Sequence, residues 1–285
     1  MPSRGAIDLH THSSVSDGTE TPAELIEAAV AEKLRAIAIT DHDSTAGWSD
    51  AFGAAAGTGL LVVPGMELST NHGPASVHML GYLFDPANPA IVEETAKIRD
   101  GRMHRAERIV ARIAKDYGIT WADVLAQSID GGTIGRPHIA DALVAHGDVP
   151  DRSAAFHTIL HWRSGYYEKY YAPSPLAGVR MIVAAGGVPV LAHPATHGRY
   201  RALEDSAIKE LKDAGLFGLE IHHRDNTEDG KRRLYELARM FDLAVTGSSD
   251  YHGEGKPNRL AENTTEPAVF EKLLATGTGS RPFHG

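Results

Sequence analysis

The sequence predicts an α/β protein, a distorted, TIM-like (β/α)7 barrel with a helical insertion over its mouth. Three observations predict it. Seven short apolar runs rich in β-branched residues recur along the 285 residues. Stretches with helical spacing separate most of them, the pattern of βα units around a parallel sheet. The alternation then breaks once, between roughly Pro86 and Pro175.

The first run, AIDLHTH, leads to PAELIEAAVAEKL, a helix that opens with proline after Thr21. RAIAITDHD, LLVVPGMELS and VHMLGYLF are the next three strands. The interrupting stretch holds one long helical segment, EETAKIRDGRMHRAERIVARIAKDYG, then WADVLAQ and HIADALVAHG, with no convincing strand. VPVLAHP resumes the pattern. IKELKDAG ends on glycine, FGLEIHH follows, and the amphipathic DGKRRLYELARMF precedes the last run, LAVTGSSDYH. Residues 1–86 and 175–285 are therefore expected to form the barrel, and 87–174 a helical cap.

A hydrophobic fraction of 42% suffices for a core, and a net charge of −9 excludes a generally basic nucleic-acid surface while leaving room for a basic pocket. Stable binding of duplex nucleic acid is not expected. No apolar run has transmembrane length, and the first twenty residues lack a signal-peptide core, so a cytoplasmic protein without a membrane partner is the default. With no cysteine and 16 histidines, any transition-type metal must be held by imidazole and carboxylate. His72, His146 and His284 read as scattered surface histidines.

The other histidines follow a pattern. His10 and His12 close the first strand, Asp41 and His42 the second, Glu67 the third. His193 follows the fifth, His222 and His223 the sixth, Asp250 and His252 the seventh; His78, early in the fourth, departs from the rule. Barrel strands point their carboxyl ends at one mouth, where catalytic groups gather. Side chains two apart on a strand share a face, so His10 and His12 can chelate one ion, and Asp250 with His252 repeats the spacing.

DLHTHSSVSDG, AITDHD, PGMELS, VHMLGY, LAHP and SSDYH, in this order, resemble the PHP (polymerase and histidinol phosphatase) family of metal-dependent phosphoesterases. The resemblance runs from Ile7 to about Gly253. It implies a distorted seven-stranded barrel with three divalent ions (manganese, iron or zinc) at the mouth. By resemblance His10, His12, Glu67 and Asp250 hold the first ion; Glu67 bridges to a second, completed by His78 and His193; Asp17, His42 and His252 hold the third. Six metal charges against three ionised ligands leave a surplus that suits a phosphate dianion, and a bound water with a lowered pKa supplies hydroxide as the nucleophile. Asp250, His193 and Arg136 are the expected catalytic residues.

Arg102, Arg105, Arg108 and Arg112 fall on neighbouring parts of one helical face, which either meets substrate or is solvated beside Glu93, Glu94 and Glu107. Arg102, and Arg136 and His138 of GRPH, are the substrate contacts that the resemblance favours, with His138 equally able to serve the core. His222 and His223 line the pocket, orient the ligands from behind, or end a strand in solvent. The insertion resembles the subgroup that removes a phosphate from 3′,5′-bisphosphonucleotides such as pAp or trims 5′-phosphorylated short RNA. Trp121, Tyr166, Tyr167, Tyr170 and Tyr171 are available for base stacking. Histidinol-phosphate hydrolysis and a non-catalytic regulatory metal module are the alternatives.

Overall fold

The computed structural model describes residues 5–73, 75–129, 131–196 and 203–285. The expected barrel and cap ranges also contain residues 1–4, 74, 130 and 197–202, which lie outside the described residues; every candidate site residue lies within them. All seven expected strands form: β1 (Ile7–Asp8), β2 (Ala36–Ile39), β3 (Leu61–His72), β4 (Ala75–Tyr82), β5 (Val188–Leu191), β6 (Gly218–His222) and β7 (Ala244–Gly247). They pair in sequence order, and a short β8 (Phe283–His284) adds to the foot of β3 at Leu61 and Val62.

The sheet curls until its edges meet. Thr11, just past β1, forms an isolated parallel bridge with Tyr251, and the His12 amide donates to the Tyr251 carbonyl at 2.8 Å. Below it the Ser249 amide donates to the buried Asp8 carboxylate at 3.0 Å. The barrel is thus sewn shut by a few bonds instead of a ladder.

One strand departs from the expected parallel sheet. β4 is antiparallel to both β3 and β5, because it follows β3 through a turn at Gly73 with no helix between. A strand running down from the mouth carries its mouth-facing residues early. His78 lies opposite Ser69 near the carboxyl end of β3, and its early position is a consequence of strand direction.

Two apolar layers explain why the strands read as continuous hydrophobic runs. Ile7, Ala36, Ala38, Val63, Leu80, Tyr82, Val188 and Val190 meet inside the barrel, where Phe270 and Leu273 of a helix at Pro267–Thr276 join them. The alternate residues, among them Ile37, Ile39, Val62, Met79, Leu191 and Leu219, pack outward. Their partners are α1 (Pro22–Ala31), α2 (Trp48–Ala55), α7 (Pro175–Ala184), α8 (Asp205–Asp213) and α9 (Glu228–Met240). Thr21 and Glu24 form a reciprocal capping box at the start of α1, satisfying two otherwise orphaned amides.

Between β4 and β5 come α3 (Pro89–Tyr117), α4 (Trp121–Leu125), α5 (Arg136–His146) and α6 (Arg152–His157); the helix after β7 is α10. α3 stops at Gly118, which adopts a left-handed conformation (φ 73°) that ends helices readily. Ala106, Ile109, Val110 and Ile113 of α3 bury with Val124, Ile139, Leu143 and Leu160 in a cluster separate from the barrel's. Polar bonds tie these helices to the mouth. Arg99 donates to the Asp43 carbonyl at 2.6 Å, Thr133 Oγ1 to the His42 carbonyl at 2.8 Å, and Arg152 to the Asp17 carbonyl at 2.8 Å.

Candidate metal centre

At the mouth, His10 and His12 bring their Nε2 atoms within 3.1 Å of each other. Glu67 Oε2 lies 3.3 Å from the first and 3.1 Å from the second; Asp250 Oδ1 lies 3.4 and 3.3 Å away. All four side chains are buried. Donor atoms set around one first-row ion at about 2.0–2.1 Å are separated by roughly 3.3 Å when tetrahedral. The observed spacings match that geometry, so the residues fit a divalent cation.

Glu67 faces two ways. Its Oε1 meets His78 Nδ1 at 2.7 Å and His193 Nε2 at 3.0 Å, while His42 Nδ1 lies 3.2 Å from Oε2. On the other flank His252 Nε2 reaches Asp17 Oδ1 at 3.2 Å, with His42 Nε2 3.8 Å from Asp17 Oδ2. His12 also contributes there, its Nδ1 3.6 Å from Asp17 Oδ1. The nine residues expected from sequence are therefore brought into one contiguous cluster. Asp17 is delivered by a tight turn: a Cβ on Gly18 would stand 2.3 Å from the His12 carbonyl oxygen, so only glycine fits.

The spacing argument for Asp250 and His252 needs correcting. Both follow the end of β7, and Asp250 has φ 55°, so the same-face rule for extended chain does not apply. Asp250 turns toward His10 and His12, while His252 turns toward Asp17. Asp43 (φ 53°) and His193 (φ 29°) also hold left-handed backbone, strain of the kind that gathers at functional sites.

The electrostatics call for cations. Burial alone would raise Glu67, but the charges of His42, His78 and His10 hold it well below the usual carboxylate range. Burial works the same way on Asp250, which Lys256, His252 and His10 hold low; Lys256 Nζ sits 2.7 Å from its Oδ2. Burial would lower His12, yet the hydrogen bonds it donates to Asp250 and Glu67 push it up to about 9. Protons on His10, His12 and His193 thus stand where the buried carboxylates demand positive charge, while burial lowers His42 and brings His252 to about 4.

Ring orientation separates ligand-like histidines from donors. His252 Nδ1 lies 2.8 Å from the Asp250 carbonyl and donates to it, so the Nε2 lone pair faces the Asp17 carboxylate, two acceptors that a cation between them would satisfy. His223 is the reverse. Its Nδ1 accepts the Asp225 amide at 3.1 Å, so Nε2 carries the hydrogen and faces Asp250 Oδ2 at 3.4 Å. His223 is buried and points into the site, whereas His222 is exposed beside the Tyr235 hydroxyl at 2.9 Å. A bulge between Glu220 and His222 puts these neighbours to different uses.

A cavity of about 450 Å³ opens onto the cluster, bounded at one end by Asp17, His42 and His78. Arg102, Arg105, Arg136, Arg152, Lys169 and Lys256 line the rest, with Tyr167, Tyr170 and Phe156 between them. Arg102 Nε is 3.0 Å from Asp43 and its Nη2 donates to Ser69 Oγ at 2.8 Å. Arg105 stacks over Tyr167 and Tyr170, and Arg136 over Phe156 and Tyr167, at 4.9–5.5 Å. Burial first, then the neighbouring Arg136 charge, lowers Arg105 to about 10.

The face of four arginines on α3 divides. Arg102 and Arg105 turn into the cavity, while Arg108 and Arg112 clamp Glu168 at 2.5 Å each on the outside. Of the aromatics, Tyr167 and Tyr170 line the cavity; Tyr166 bonds Asp116, Tyr171 bonds Glu94, and Trp121 packs against the helical cluster. His138 is buried, and its Nδ1 accepts the Gly135 amide at the start of α5. Sequence reasoning passed over Glu220, Lys256, Asp43 and Arg152. The one legible signal was Glu220, an acid in the middle of an otherwise apolar strand.

The PHP domain model matches residues 8–126. A 3′,5′-nucleoside bisphosphate phosphatase from Chromobacterium violaceum is 34% identical over 268 residues, covering 91% of this chain and 92% of its own. A 5′-3′ exoribonuclease from Haemophilus influenzae is 32% identical over 246 residues, covering 86% and 89%. A solved structure from Bifidobacterium adolescentis, assigned by inference to the metal-dependent phosphoesterases, superposes with a TM-score of 0.93 at 43% identity over 98% of each chain. The class is a barrel whose mouth is built to hold divalent cations. Within it, the chain belongs to the PHP domain family.

Proposed function

We propose that this chain, a metal-dependent hydrolase of phosphate ester bonds, removes a phosphate from bisphosphorylated nucleotides of the pAp type. Short 5′-phosphorylated oligoribonucleotides are a second substrate in this reading. The observation that carries it is the continuity of the cavity, which runs from the histidine–carboxylate cluster to Arg102, Arg105 and Arg136 with tyrosines between. One end suits a scissile phosphate, the other a second phosphate, and flat rings between them suit a base or ribose. The relatives' activities on nucleotides and RNA support the same substrate class.

His10, His12, Glu67 and Asp250 would hold one ion, Glu67, His78 and His193 a second, and Asp17, His42 and His252 a third. When bound, the ions supply an activated water and positive charge for the phosphate oxygens. His223 Nε2–H is a fixed donor at the edge of the cluster, placed for a phosphate oxygen or for Asp250. Lys256 adds a cation on the cavity side of Asp250. Arg136 and Arg102 grip the non-reacting phosphate, and Tyr167 and Tyr170 exclude water around it. In this reading residues 87–174 act as a substrate cap over the barrel. A cytoplasmic location is part of it, in keeping with nucleotide substrates; no helix among the described residues is long and apolar enough to cross a membrane.

Histidinol phosphate would leave the outer half of the cavity unused, and a purely regulatory metal module would not need a lined cavity at all. The deciding assay sets pAp, histidinol phosphate and a 5′-phosphorylated trinucleotide side by side with metal-loaded protein. Preference for pAp or the trinucleotide is expected. Preference for histidinol phosphate, or no turnover of any ester, would overturn the proposal.

A further inference from the structure

Glu220, on β6, is completely buried below the cluster. One carboxylate oxygen lies 3.0 Å from His10 Nδ1, and the other accepts the backbone amide of His193 at 2.9 Å. Two residues of the proposed centre, whose rings stack 5.6 Å apart, therefore hang from one carboxylate. We propose that Glu220 is a positioning residue, fixing His10 in the tautomer that offers Nε2 to a metal and anchoring His193 at its left-handed turn. The inference rests on the reading that His10 holds an ion.

The chemistry makes a carboxylate necessary. His193 N–H can only donate, so it needs an acceptor. His10 must also donate from Nδ1 if its Nε2, within 3.1 Å of His12 Nε2 and 3.3 Å of Glu67, is to keep a free lone pair. Two donors converge on two oxygens, and an ionised carboxylate accepts both. An amide of the same shape offers one acceptor and one donor, so it cannot serve both. Placed with its nitrogen toward His193, it sets two N–H groups against each other at a residue with φ 29°. Placed with its nitrogen toward His10, it draws the ring into the other tautomer, whose Nε2–H cannot ligate. Partners of this kind to metal-binding imidazoles orient the ring and raise its basicity.

The test uses the whole chain with zinc as a diamagnetic probe. In wild-type protein labelled with 15N-histidine, His10 should carry its proton on Nδ1 when zinc is bound. A proton on Nε2 would overturn the proposal, and this measurement needs no variant. Glu220→Gln, checked for native circular dichroism, should bind zinc about 10- to 100-fold more weakly in competition with a chromophoric chelator. Glu220→Asp, which keeps two acceptors on a shorter arm, should recover part of the loss. An affinity of Glu220→Gln within twofold of wild type would refute the role. If the wild-type chain itself binds no zinc, the metal assignment fails, and that outcome is distinguishable from failure of Glu220.

Discussion

Stripping the metals should make this protein lose stability as pH rises through neutrality, and the structure sets the size of the loss. His12 is pushed from 6.5 to about 9 in the metal-free cluster. A group whose folded value is raised stabilises fully below its unfolded value, and that stability disappears as pH climbs to the folded one. The window is therefore pH 6.5 to about 9. At about 1.4 kcal/mol per pH unit, the contribution is roughly 3 kcal/mol. His10 and His193 are raised as well, each by acidic neighbours working against burial, so they act in the same direction. At about 2–4 °C per kcal/mol, the melting temperature of chelated protein should drop by roughly 6–12 °C between pH 6.5 and 9. On the proposed ligand assignment the histidines of metal-loaded protein are neutral at both ends of the window, so its melting temperature should change far less. Differential scanning calorimetry of both forms across this range is the assay. A chelated protein whose melting temperature is flat or rises would refute the idea that buried carboxylates hold protons in place of ions.

Asp250→Asn should reduce kcat/KM more than about 100-fold and lower the bound metal per chain in elemental analysis, while circular dichroism stays native. Unchanged turnover would remove Asp250 from the centre. Arg136→Ala should raise KM for pAp much more than for an aryl phosphate; equal effects would place Arg136 outside recognition of the second phosphate. Arg152→Met breaks the 2.8 Å bond to the Asp17 carbonyl and the pairing with Asp141, and should weaken the binding of one ion while sparing the others. Tyr82→Phe deletes a buried 2.8 Å bond to the Leu9 carbonyl and should cost about 1 kcal/mol in urea unfolding, with metal content unaltered.

Much of this architecture was legible because hydrophobic periodicity is local. Each of the seven strands is a short apolar run, and α1, α3, α8 and α9 carry helical spacing. α2, α7 and α10 went unread, as did α6, which is only six residues long. Seven of the nine expected ligands were legible as polar residues at strand ends; His78 departed from that rule, and Asp17, in a loop, came only from the family resemblance. Glu220 carries no strand-end signal, because this acid sits within its strand, beside His10 and the His193 amide. Asp43 and Lys256 were missed because loop residues carry no period.

What the sequence determined by itself was the inventory: a barrel's strands, an inserted helical stretch, and imidazoles and carboxylates in place of thiolates. The tertiary structure decided their directions. Only pairing reveals that β4 runs downward and so delivers His78 to the mouth. Only the fold turns Arg102 and Arg105 inward while Arg108 and Arg112 hold Glu168 outside. And only the partner of each second ring nitrogen separates His10 and His252 from His223, because a histidine's chemistry depends on a hydrogen bond to a residue far away in the chain.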